Sequence, residues 1–178
     1  LMLAVHCENM DINRNVTKEL IEAGEDEGLS TWSKTSPGYA EAESLLSTLY
    51  MNRVHSGNVY IVHLTSKESV EVLEKSAWLT EGNVKVETCP HYLVLHDEHE
   101  VGIKAKVGPP IHKIEDGEAL WEGIRKGLIN AIGTDHVPSD LNKKLNGTGN
   151  TWDTLFGFPG AGGLLPLMLT EGYKKRDI

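Results

Sequence analysis

Cysteine is scarce. Cys7 and Cys89 are the two in 178 residues, too few for the disulfide framework of a small secreted domain and suited to a reducing cytoplasm. No run of about 18 apolar residues occurs, so no membrane-spanning helix is expected. No secretory leader is expected either, because Leu1-Met-Leu-Ala-Val5 lacks a basic flank and Glu8 follows too soon. Positive charge is in deficit: 17 Lys and Arg against 26 Asp and Glu leave a net charge of −9. That balance argues against a nucleic-acid surface, which needs clustered cations. The one basic cluster, Lys174-Lys-Arg176, is short and reads as a solvated tail. A glycine-rich phosphate-binding turn between strand and helix is lacking, as are repeats, low-complexity tracts and linkers. What remains is an ordinary globular composition, 39% hydrophobic and 24% charged, long enough for one core.

The chain is organised around Leu128-Ile-Asn-Ala-Ile-Gly-Thr-Asp-His-Val-Pro-Ser-Asp140, an apolar run that stops at Gly133-Thr134 and delivers Asp135 where a buried strand emerges into a loop. Leu3-Ala-Val-His6 and Val59-Tyr-Ile-Val-His63 have the same form: a β-rich run closed by a histidine, then a polar turn and a helical pattern. In parallel α/β folds, functional side chains collect at such strand ends.

Taken in order, the patterning predicts a strand over 3–6, a loop over 8–15 and a helix over 16–28. A polar irregular stretch covers 30–36, and a helix runs from Pro37 to His55 with Leu45, Leu46, Leu49 and Tyr50 as its core stripe. A second strand covers 58–64. The helix after it is capped by Thr65 or Ser66, turns Val70, Val72, Leu73 and Leu79 inward and is closed by Gly82. A third strand, 84–89, is ended by Pro90; a charged excursion follows to Ala105, then a stiff extended turn over 107–111. The patterning continues with a helix over 116–127, a fourth strand over 128–133, a loop over 138–151 and a last helix over 161–174. Strands alternating with helices imply a parallel sheet with right-handed crossovers. Four such units are half of a (β/α)8 barrel, which takes about 250 residues. A strand already running by residue 3, with no initiator Met, reads as a piece of a longer protein.

Three strand ends therefore offer His6, His63 and Asp135 to one rim. Neutral imidazoles and carboxylates are the ligands of zinc and similar ions, and a metal lowers the pKa of a bound water to near 7. The alternative for each histidine is a hydrogen-bonded structural role.

Six segments carry a further signal: His6-Cys-Glu-Asn9, Val62-His-Leu-Thr-Ser66, Glu87-Thr-Cys-Pro-His-Tyr-Leu93, Val107-Gly-Pro-Pro-Ile111, Gly133-Thr-Asp-His136 and Gly157-Phe-Pro-Gly160. In this order they resemble the later half of the cyclic amidohydrolases, the family of dihydropyrimidinase or hydantoinase, allantoinase and dihydroorotase. The resemblance implies one domain over 1–178, an α/β partial (β/α)8 barrel of about strands five to eight. It also implies a binuclear zinc site whose metal-bound hydroxide attacks a cyclic amide or ureide. His6 and His63 match ligands of one metal; Asp135 matches the ligand of the other and the general base. Gly108, Phe156 and Gly157 match substrate contacts. His91 and His136 stand where they could steer those ligands without touching an ion. Glu8 and Asn9 are expected to orient the loop after His6, the two cysteines to be small buried thiols, and His55, His96 and His99 to play no part.

The family's His-x-His pair and carboxylated bridging lysine have no counterpart here, and Lys34 and Lys67 are wrongly placed to serve. The chain alone is thus expected to be inactive and its parent active. Gly108 and Ser139, where dihydroorotases commonly carry Asn and a second His, favour a hydantoinase, dihydropyrimidinase or allantoinase chemistry. His112 and Gly162 depart from the arginine and glutamate common in the family. A non-catalytic scaffold related to dihydropyrimidinase is the alternative of another class. A half barrel would also leave strand edges and an inner face uncovered, so a second copy or poorly ordered ends are expected, with a homo-oligomeric parent.

Overall fold

In the computed structural model four strands, β1 (Leu3–Val5), β2 (Val59–Ile61), β3 (Val84–Thr88) and β4 (Ala131–Ile132), form one parallel sheet in sequence order. The structure describes residues 1–81, 83–146 and 148–178. Gly82, the expected helix stop, and Gly147 of the loop over 138–151 lie outside the described residues. Val5 pairs with Ile61, Ile61 with Val86 and Thr88 with Ile132. This near-level register brings the four carboxyl ends to one rim.

Helices supply the crossovers that parallel pairing demands: α1 (Met10–Glu22), α2 (Leu29–Lys34) and α3 (Gly38–His55) between β1 and β2; α4 (Lys67–Lys75) and α5 (Ala77–Thr80) between β2 and β3; and α6 (Pro90–Val94) and α7 (Ile114–Arg125) before β4. After β4 come α8 (Leu141–Leu145), α9 (Leu164–Leu167) and a π-helical stretch, Met168–Lys174.

Several boundaries differ from expectation for local reasons. α1 begins at Met10 rather than 16, because Asn9 Oδ1 accepts from the amides of Asp11 and Ile12 at 3.2 and 3.3 Å and so caps a first turn that is too polar to show periodicity. The stretch over 30–36, expected to be irregular, contains α2. In α3, Leu45 and Leu49 are fully buried, whereas Leu46 and Tyr50 are 42% and 54% exposed. Each follows its buried neighbour by one position, about 100° round the helix, so only half of the expected stripe is core. Ser66 is the cap of α4. Pro90 opens α6 as well as ending β3, occupying the first helical position, where no N–H is needed. β4 is shorter than expected because the amides of Leu128 and Ile129 both donate to Gly123 O at the end of α7. The loop over 138–151 contains α8, capped by Asp140.

The core lies between sheet and helices, with Leu45, Leu49, Ile61, Leu73, Val86 and Trp121 among its members. Cys7 and Cys89 are free, buried thiols within it, and burial holds both above the ordinary thiol range. Among the described residues β1 pairs only with β2, and its Leu3 is 66% exposed. Among the described residues no helix is long and apolar enough to cross a membrane.

Candidate metal centre and its groove

His6 leaves the end of β1 and is exposed; His63, two residues past β2, is buried. Their rings meet, with His63 Nε2 at 2.6 Å from His6 Nδ1 and ring centres 4.5 Å apart. Glu8 joins them: one donor atom from each of His6, Glu8 and His63 lies within 4.8 Å of the other two. Burial, and then the neighbouring His6, lower the pKa of His63, which keeps its imidazole in the neutral form a metal requires.

Asp135, at the rim beyond β4, is near enough for its charge to act on His63 in the opposite sense. Its carboxylate does not join the three-donor group formed among the described residues. His63 and Asp135 share a backbone peculiarity, with φ of +42° and +39°. Non-glycine residues rarely adopt positive φ, and such positions concentrate at functional sites.

The segment after His63 is pinned from α3. Glu41, buried, accepts at Oε1 from the amide and hydroxyl of Thr65, both at 2.9 Å. Its Oε2 accepts from the amide of Ser66 at 2.9 Å and from the hydroxyls of Ser66 and Ser69 at 2.6 Å each. Sequence reasoning missed this hub, because a single acid inside an otherwise ordinary helix gives no signal. Asn9, expected to orient the loop after His6, does so by capping α1 and donating from Nδ2 to Glu43 at 2.7 Å.

His91, on α6 beyond β3, is 2% exposed. Its ring lies 4.2 Å from that of Tyr92 and 4.8 Å from that of Phe158, and neither ring nitrogen has a hydrogen-bond partner among the described residues. Burial, with a smaller contribution from His63, pushes its pKa down to about 3. His136 is exposed and accepts at Nδ1 from the amide of Ala161 at 3.1 Å; its backbone bridges to Phe158. It therefore holds the turn over 157–161 in place.

Gly108, Phe156 and Gly157 come together on the same side. A side chain at Gly108 would meet the Phe156 ring at 3.6 Å, and Gly157 N donates to Lys106 O at 3.1 Å. Two buried lysines tie these segments down. Lys144 Nζ donates to the carbonyls of Lys106 and Gly157, while Lys106 Nζ donates to those of Thr151 and Thr154 and sits 4.0 Å from the Trp32 ring centre. Burial pushes both ammonium groups down to about 8. Lys106 lies just past the expected charged excursion and Lys144 within the expected loop over 138–151, so neither position signalled this role. A largely apolar groove of about 720 Å³ runs from His6 and Glu8 past Trp32, Gly108, Pro109 and Phe156.

The arrangement offers imidazole and carboxylate donors at a strand-end rim, beside a groove large enough for a small ring. No family model matches the chain. It is 32% identical over 180 aligned residues to an allantoinase of Escherichia coli O9:H4 (strain HS), an alignment covering 98% of this chain and 38% of that protein. The dihydropyrimidinase of Brevibacillus agri NCHU1002 superposes with a TM-score of 0.89 at 26% identity, over 99% of this chain and 39% of its own. The L-hydantoinase (dihydropyrimidinase) of Arthrobacter aurescens does so with a TM-score of 0.86, also at 26% identity and over the same shares. The chain thus spans about two fifths of the length of these relatives. Its parallel α/β fold is that of part of a (β/α)8 barrel, and over nearly its whole length the chain is similar to about two fifths of an allantoinase and of dihydropyrimidinases or hydantoinases, the proteins its sequence motifs resemble.

Proposed function

We propose that residues 1–178 form one domain, the later half of an amidohydrolase barrel, whose parent is a cytoplasmic homo-oligomer that hydrolyses a cyclic amide or ureide with bound zinc. The observation that carries this reading is the meeting of His6 and His63 at 2.6 Å. The two nitrogens, hydrogen-bonded to each other, come from neighbouring strands and are close enough for one cation to take both in place of the shared proton.

The residues fit such an ion. His6 Nδ1 and His63 Nε2 would hold it from two strand ends, while Asp135 stands across the rim for a second. An ion held there would lower the pKa of a water to near 7 and polarise a carbonyl. The chain's own residues do the rest. Asp135 accepts the proton of the attacking water and returns it to the leaving ring nitrogen. The backbone around Gly108 and Gly157, held by Lys106 and Lys144, contacts the ring, and Trp32 and Phe156 keep that side of the groove dry. His136 fixes the turn that follows, and His91 stands behind the rim as an uncharged group.

Gly108 and Ser139 favour a hydantoin, dihydropyrimidine or allantoin over dihydroorotate, and the allantoinase identity supports the same side. The test is turnover of hydantoin, dihydrouracil and allantoin with added zinc. The 178-residue chain alone is expected to be inactive. A polypeptide that also carries an upstream His-x-His strand and a lysine-ended strand is expected to hydrolyse one of the three and to lose that activity on Asp135→Asn. Normal turnover by the isolated chain, or an Asp135→Asn variant as active as its parent, would overturn the reading.

A further inference from the structure

We infer that Glu8 completes, with His6 and His63, a three-donor divalent-cation site contained wholly within this chain. The inference rests on the metal reading above and adds a ligand that the motif comparison does not assign. His6 and Glu8 are alternate residues of the segment leaving β1, and neither is buried. Cys7, between them, points into the core, where it is 3% exposed and its thiol donates to Thr48 Oγ1 at 3.8 Å. His63 arrives from β2, and one donor atom from each of the three lies within 4.8 Å of the other two. Coordination to one ion needs only small side-chain adjustments from that spacing.

Two imidazoles and one glutamate are a donor set found at catalytic zinc sites, where the fourth position stays open. His6 and Glu8 also line the groove together. Asp135 is not part of the converging group among the described residues, so the set draws on the ends of β1 and β2 alone.

The test is calorimetric titration of the full 178-residue chain with zinc alone. The wild type is expected to take one equivalent. Glu8→Gln is expected to weaken binding by about tenfold or more, the scale on which loss of supporting groups is already felt at metal sites; Glu8→Asp, which keeps the charge on a shorter arm, should fall between. His63→Asn is expected to abolish binding. The paired rings of His96 and His99, 5.5 Å apart, are an independent place for zinc to collect, so the titration is repeated on a His96→Ala, His99→Ala background, which should bind as tightly as the wild type. Unfolding midpoints of the metal-free variants check that each is folded. Unchanged affinity in both Glu8 variants, or loss on Asp135→Asn instead, would overturn the role of Glu8 while leaving the histidines as ligands. A wild type that takes no zinc, or a His63→Asn variant that binds normally, would overturn the metal reading itself.

Discussion

The imidazole of His91 makes acid stability a direct readout of the rim. Its pKa is about 3 in the folded chain, against about 6.5 for an unperturbed histidine. Between these values the unfolded chain binds a proton that the folded chain refuses, so stability falls as pH falls through this window. At pH 5 the unfolded group lies about 1.5 pH units below its own pKa, and each unit is worth about 1.36 kcal/mol, so His91 alone should cost about 2 kcal/mol relative to pH 7. Leu at position 91 cannot titrate and packs against the same Tyr92 and Phe158 rings. Urea unfolding of wild type and His91→Leu at pH 7, 6 and 5, followed by tryptophan fluorescence, should show the wild type losing about 2 kcal/mol more than the variant across that range. Working above pH 5 keeps most carboxylates out of the window, and His63 contributes equally to both chains. Parallel stability curves would refute the reasoning, because they would mean that the folded His91 accepts a proton and has a partner for it.

Two further outcomes follow from the anchors of the rim. Glu41→Gln replaces an acceptor of five hydrogen bonds with a group half of which donates, leaving buried N–H and O–H groups of residues 65–69 facing one another; denaturant unfolding should show a loss of about 2–4 kcal/mol. Gly157 has φ +134°, and a β-carbon there would lie 2.9 Å from both the carbonyl and a methyl of Val137. Gly157→Ala should therefore cost about 1–3 kcal/mol and reduce hydrogen-exchange protection of the Gly157 amide, measured against the same amide in the wild type.

The parallel sheet and its order were legible because each strand lies in a short run that carries at least one β-branched residue and each connection carries a helical period; both are patterns of single residues along the chain. The positions of His6, His63 and Asp135 at strand ends were legible for the same reason. Asn9 as a cap was not, since a polar first turn hides the start of α1. The other misses are contacts across the fold. Glu41 lies 24 or more residues from the groups it binds, and Lys144 lies 38 residues from Lys106. In both cases a charged residue that would ordinarily face solvent is buried because backbone carbonyls, amides or hydroxyls surround it, and no local pattern encodes those partners. Glu8 sits beside His6 in sequence, but its convergence with His63 depends on the pairing of β1 with β2.

The positive φ angles at His63 and Asp135 determine which substitutions can isolate chemistry at these sites. Alanine at either place would remove the functional group and also force an ordinary side chain to keep a backbone shape it resists, so a lost property could come from either source. Asparagine tolerates that shape far better than most residues. The two positions where a donor is most worth deleting are thus the two where the habitual deletion confounds its own result, and an amide is the cleaner replacement at both.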